Sequence, residues 1–300
     1  MKRTVKLGLV LFCLFLCVPT VQAQGTCTMG TITGTYAFVV RGASTAILNP
    51  SAPPWILHWD AKLAPLALVG MFTVQKDGTG DGVWWFINGT LNGGLTPTSF
   101  HSTVVELNPD CTGVEEYTYT LAGQPHTNRE WFIVLDNGRE MRGVSQMGGL
   151  PAGVWHTISY RVSNGAAPVT NFGQNNMQGD YLFSFESLTP PGPLPPLAFG
   201  AAALMRVQIS ANGDFTGTWH GKIGPVVAVS DVSGHFTVNP DGTIEGALNV
   251  AAVPGVTNVA RGVLFDQGKR GYLIPLLNLV DGGPSIPQIY GIAEITRIGP

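Results

Sequence analysis

Apolar and polar residues alternate along this chain in short runs, and beyond the first two dozen residues no stretch of eleven carries a helical period. In the first half the β-rich runs are 34–41, 67–75, 82–88, 100–107, 113–121, 130–136, 140–147 and 154–162. Between them stand turn sequences: Lys76-Asp77-Gly78, Asn108-Pro109-Asp110 and Asp136-Asn137-Gly138. Gly and Asn tolerate positive φ there, and Pro fixes the first turn dihedral. Each run is therefore predicted to be a strand of an antiparallel hairpin. Along 113–121, Val114, Glu116, Thr118 and Thr120 alternate with Glu115, Tyr117, Tyr119 and Leu121. The second set is the more apolar and is predicted to point inward, which puts a carboxylate near a barrel mouth.

The second half repeats the first. Gly34-Thr35-Tyr36-Ala37-Phe38 corresponds to Gly179-Asp180-Tyr181-Leu182-Phe183, an offset of 145. Phe72-Thr73-Val74-Gln75 with Asp77-Gly78 corresponds to Val207-Gln208-Ile209-Ser210 with Asn212-Gly213. Asn108-Pro109-Asp110-Cys111-Thr112 matches Asn239-Pro240-Asp241-Gly242-Thr243, and Leu135-Asp136-Asn137-Gly138-Arg139 matches Phe265-Asp266-Gln267-Gly268-Lys269. Four blocks in one order make the chain a tandem duplication, with insertions falling in loops. Eight strands per unit in hairpin linkage favour a closed barrel, which removes its own edges. The expected fold is all-β: two tandem eight-stranded antiparallel barrels, with two β-sandwiches as the alternative. The units are placed at 24–163 and 178–300, with the turn-rich stretch 164–177 as linker. Two long proline-bearing loops, 49–65 and 189–196, follow the first strand of their units and are expected at the same barrel end.

Composition narrows the class. Charged residues are only 12% of 300, against a usual value of about 25%, while 39 are Gly and 22 Pro. This excludes disorder, coiled coil and a large helical protein. Residues 1–23 read as a signal peptide: Lys2, Arg3 and Lys6, an apolar run 7–18 and Val21-Gln22-Ala23 as cleavage site. Twelve apolar residues do not span a bilayer, so the mature chain is expected to carry no transmembrane segment and to be secreted, periplasmic or in the cell envelope. It would hold 13 basic and 19 acidic residues, a net charge of -6 that argues against nucleic acid as a partner. It would also keep two cysteines, Cys27 and Cys111, expected to pair in an oxidising compartment. A loop of 84 residues closed in this way is worth about 4 kcal/mol in the chain-entropy model.

The order Gly-x-Tyr-x-Phe, a Gly-rich hairpin, Asn-Pro-Asp-Cys-Thr and Asp-x-Gly-Arg-Glu resembles a family of secreted tandem-repeat proteins of environmental bacteria. The strand count is similar to lipocalin-like and allene oxide cyclase-like barrels. The resemblance covers nearly the whole mature chain but rests on turn and strand markers. It implies a secreted β-barrel with a disulfide at the Cys111 hairpin, and no activity. The second unit departs from it with Gly242 in place of Cys111.

No strong catalytic, metal or cofactor motif is present, and no cofactor or metal is expected. The candidate residues are aromatic first. Trp55, Trp59, Trp84, Trp85, Trp131 and Trp155 fall in the first unit and only Trp219 in the second. They serve either core and interface burial or a pocket at the first barrel's mouth, with Trp55 and Trp59 as a lid stacking on a sugar or covering an apolar ligand. Of Trp84 and Trp85, one must face inward and the other outward. His58 and Asp60 share one side of an extended segment, as a general base would need. Glu115 beside Tyr117 and Tyr119 suits a proton donor of raised pKa. Against that, Glu115 can sit exposed at the mouth paired with Arg129, Arg142 or Arg161, and Gly246 replaces it in the second unit. The segment 126–130 reads as a polar loop entering a strand, and Arg161 and Arg297 as caps of the two barrel ends. The leading expectation is a noncatalytic secreted protein binding a small apolar or glycan ligand, or a surface partner, through its first unit. The alternatives are a cyclase- or isomerase-type enzyme in the first barrel and a structural or adhesive envelope protein. Oligomeric state stays open.

Overall fold

The computed structural model describes residues 26–45, 63–88, 97–121, 123–146, 153–165, 171–187, 201–223, 226–251, 256–279 and 291–299. The two units are both closed eight-stranded antiparallel barrels, not sandwiches. In the first, β1 (Gly34–Thr45), β2 (Leu63–Val74), β3 (Thr79–Asn88), β4 (Thr98–Leu107), β5 (Thr112–Leu121), β6 (Gln124–Leu135), β7 (Glu140–Gln146) and β8 (Gly153–Ser163) follow one another around the wall, and β8 pairs back with β1. In the second, β9 (Gly179–Ser187), β10 (Ala201–Ile209), β11 (Asp214–Ile223), β12 (Val226–Val238), β13 (Thr243–Val250), β14 (Val256–Phe265), β15 (Arg270–Leu279) and β16 (Gly291–Arg297) do the same. β6 begins at Gln124, so 126–130 is strand and not loop.

The turns between β2 and β3, β4 and β5, and β6 and β7, with their counterparts in the second barrel, lie at one end of each barrel. There the backbone adopts positive φ at Asp136, Asn137 and Gly138, and at Asp266, Gln267 and Gly268. Each such end is sealed by a short plug preceding the first strand. In the first barrel a helical turn, α1 (Met29–Ile32), buries Ile32. The Tyr36 hydroxyl lies 3.1 and 3.0 Å from the carbonyl oxygens of Ile32 and Gly138 and accepts from Arg161 at 2.7 Å. Arg161 also donates to the Thr31 carbonyl. In the second barrel a 3-10 turn (Gln174–Met177) buries Met177, and the Tyr181 hydroxyl lies 3.1 and 2.9 Å from the carbonyls of Asn176 and Gly268. Arg297 donates to the carbonyls of Gln178 and Gly299. The repeated arginines thus tie plug to barrel end.

Cys27 and Cys111 form a disulfide that fastens the first plug to the β4–β5 turn. The Cys27 N–H also donates to the Pro109 carbonyl, and the Phe172 N–H makes the same bond to Pro240 in the second barrel. Phe172 is thus the counterpart of Cys27, and its ring lies over Gly242, the counterpart of Cys111. A disulfide in one unit is an aromatic contact in the other.

Three apolar clusters result. One fills each barrel, around Phe38, Phe72, Trp84, Phe100 and Phe132 in the first and Phe183, Phe215, Phe236 and Leu273 in the second. The third joins the barrels through their outer walls: Ala37, Val39, Val69, Met71 and Trp85 pack with Val263, Phe265, Tyr272, Ile274 and Ile292. Tyr160 stacks on Phe265 at 4.9 Å, and the Arg270 guanidinium lies 4.9 Å over the Tyr160 ring. That strip explains why β1 and β2 are apolar on both faces.

Candidate functional site

The loops at the end opposite the plug leave β1 at Thr45 and rejoin at β2, and leave β7 at Gln146 and rejoin at β8. Trp55, His58, Trp59 and Asp60 lie outside the described residues. What the structure does place is the interior of the first barrel. On β5 the inward set is Glu115, Tyr117 and Tyr119, as the alternation predicts. On β6 it is Asn128, Glu130, Phe132 and Val134. β5 and β6 run in register with Glu115 opposite Glu130, so two carboxyl groups face the interior side by side.

Both are buried, at 7% exposure. This corrects the expectation of a mouth-exposed Glu115 paired with an arginine. Arg129 instead bonds Glu116 at 2.8 Å and Arg142 bonds Glu140 at 2.5 Å, both on the outer wall, and Arg161 serves the plug. The physical reason is the strand period: Arg129 and Arg142 sit one residue out of phase with the inward positions. Desolvation pushes Glu115 and Glu130 up to about 7 each, partly offset by hydroxyl hydrogen bonds from Ser102 and Thr157. The charge of Glu115 also raises Glu130. Burial holds the Tyr117 phenol well above its ordinary range.

Around the pair runs a short polar chain. Thr157 donates to Glu130 Oε2 at 2.7 Å, the Tyr117 hydroxyl reaches the same oxygen at 3.5 Å, and Trp155 Nε1 donates to the Tyr117 oxygen at 3.2 Å. Asn128 donates to the Tyr119 hydroxyl at 2.8 Å. Beside these groups is a cavity of about 40 Å³, walled by Phe38, Phe72, Trp84, Phe100 and Phe132 as well as Glu115, Glu130 and Thr157. Gly143 keeps it open, because a Cβ there would lie 1.8 Å from Glu130 Oε1.

The remaining tryptophans divide. Trp84 and Trp155 are interior, with Trp84 stacked on Phe100 at 4.5 Å. Trp85 lies on the outer wall, buried in the contact between barrels. Trp131 is 56% exposed on the outer wall and lines no part of the cavity.

The second barrel shows what the first has kept. Following the registers, Glu115 and Glu130 correspond to the pair Gly246 and Ala260, and Gly143 and Thr157 to Leu273 and Ala293. The Phe236 ring lies over Gly246 and the Leu273 side chain over Gly262. Apolar side chains thus occupy in the second barrel what carboxyls and cavity occupy in the first. Glu130, Ser102, Thr157 and Gly143 were missed by sequence reasoning; the alternation Asn128, Glu130, Phe132, Val134 was the available signal for Glu130. Among the described residues no group of three His, Cys, Asp or Glu could hold a metal, and no helix is long and apolar enough to cross a membrane.

No family model matches the chain, and no curated protein matches it. Among solved structures, it is similar to a protein of unknown function from the DUF3598 family of Nostoc punctiforme, at 8% identity over 91% of this chain and 99% of that one, with a TM-score of 0.29. It is similar also to intact TbpB with N and C lobes, at 8% identity over 88% of this chain and 76% of that one and a TM-score of 0.26. A mutant of the Rh. blastica porin follows, at 7% identity over 88% and 99% and a TM-score of 0.19. Likeness this distant carries no function across.

Proposed function

We propose that this is a noncatalytic, extracytoplasmic binding protein whose first barrel receives a small ligand in its interior, the second barrel acting as its rigid support. The observation that carries the proposal is the contrast between two copies of one unit. Among the described residues the second sets Phe236 over Gly246 and Leu273 over Gly262, while the first keeps a cavity beside two carboxyl groups, at an energetic cost that a purely structural barrel has no reason to bear. Trp84 and Tyr117 then belong to the ligand-facing wall, with Trp155 behind Tyr117, and Trp131 and Trp85 take no part.

The test is intrinsic tryptophan fluorescence of the oxidised protein, titrated with fatty acids, terpenoids, oligosaccharides and small amines. The control is Gly143→Leu with Glu130→Ala, which copies the packing of the second barrel. A saturable response lost in the filled variant supports the proposal. A response that survives filling, or none at all, refutes it.

A second function finds support in the same groups. Two carboxyls near neutrality beside a phenol can donate and remove a proton at one substrate, the chemistry of an isomerase or cyclase. Turnover of a bound compound, lost in Glu115→Gln and Glu130→Gln with binding retained, would distinguish it.

A further inference from the structure

Resting on the binding role proposed above, we infer that the ligand of the first barrel presents a primary ammonium group to the Glu115 and Glu130 carboxyls. Three observations lead there. First, the cavity is small, about 40 Å³, and sets Glu115, Glu130 and Thr157 against an aromatic wall of Phe38, Phe72, Trp84 and Phe100. Second, a purely apolar group filling the space would strip water from two carboxyls whose acceptor capacity is only partly used. Glu115 has the Ser102 hydroxyl, and Glu130 has Thr157, Trp155 and a long contact to Tyr117. Third, among the described residues no cationic side chain reaches the pair. Arg129 and Arg142 are held on the outer wall by Glu116 and Glu140, and Arg161 lies behind Tyr36 at the plug. The other ionisable groups facing the pair are Tyr36 from β1 and Tyr117 and Tyr119 from β5.

An ammonium answers all three. Its three N–H donors match two carboxylates and a hydroxyl, and its charge replaces the missing cation. The carbon attached to it meets the aromatic wall of Phe38, Phe72, Trp84 and Phe100, whose ring faces attract a cation. Binding then displaces protons from the carboxyls: no bond to carbon is made or broken, and each proton leaves to bulk water as the ammonium arrives.

The probe is n-butylammonium, compared with n-butanol and butyrate of equal chain length, by isothermal titration calorimetry in two buffers of different ionisation enthalpy at pH 7. Affinity at least tenfold tighter than for butanol, with proton release and a further gain from pH 6 to pH 8, is the expected result. Glu115→Gln with Glu130→Gln is expected to remove the preference for the cation over butanol. Butanol binding as tightly as butylammonium, or an unchanged cation preference in the double variant, would overturn this inference and leave the binding role standing. No heat or spectral change with any of the three, together with none in the wider fluorescence panel, would overturn both.

Discussion

Replacing Glu130 by Gln keeps the shape and the acceptor that Thr157 needs while removing the ionisable proton. In the folded barrel desolvation raises this group from 4.5 to about 7. A rise of that size makes the ionised form cost the folded state about 3 kcal/mol. At 7% exposure solvent screens little of it. The folded state holds the proton more tightly than the unfolded chain, so the associated stability is fully present below 4.5 and is lost as pH rises through 7. Glutamine has no such loss. Urea unfolding of the oxidised protein, followed by tryptophan fluorescence at pH 4.5, 7 and 9, should show Glu130→Gln equal to wild type at the lowest pH. At the highest it should be more stable by about 3 kcal/mol. Glu116→Gln, on the outer wall, should follow the wild-type pH profile. The reasoning fails if the Glu130→Gln difference is flat with pH, or if the variant is the less stable at pH 9.

Further predictions follow from the contrast between barrels. Gly143→Leu alone should destabilise the first barrel by more than about 3 kcal/mol, because its side chain meets the Glu130 carboxyl, and adding Glu130→Ala should recover much of the loss in a double-mutant cycle. Cys27→Ala with Cys111→Ala should cost about 4 kcal/mol in the first barrel's unfolding transition and leave the second, closed by Phe172 over Gly242, unchanged in calorimetry. Trp84→Ala should cost about 3–5 kcal/mol, whereas the exposed Trp131→Ala should stay within about 0.5 kcal/mol, both read by chemical denaturation.

Much of the molecule was legible in its sequence because local chemistry enforces it. Period-two alternation, turn residues that tolerate positive φ at Asn137 and Gly138, and the matching blocks at Tyr36 and Tyr181 define sixteen strands in two copies. The inward face of β5 was legible for the same reason. Closure into barrels was favoured by strand count and settled by the pairing of β8 with β1 and of β16 with β9, a long-range register that no local pattern fixes. The site was less legible. Glu115 was visible as an inward carboxylate, but its partner Glu130 comes from the next strand, set by the turn between β5 and β6, and the segment before it is polar enough to resemble a loop. Nor does sequence say which of two adjacent tryptophans faces the cavity: Trp84 points inward and Trp85 toward the other barrel because of where the second unit docks. Sequence alone determined the strands and the duplication, since these follow from backbone geometry and neighbours along the chain. Tertiary structure decided that two glutamates share one buried space, since burial and charge are properties of what the fold brings together.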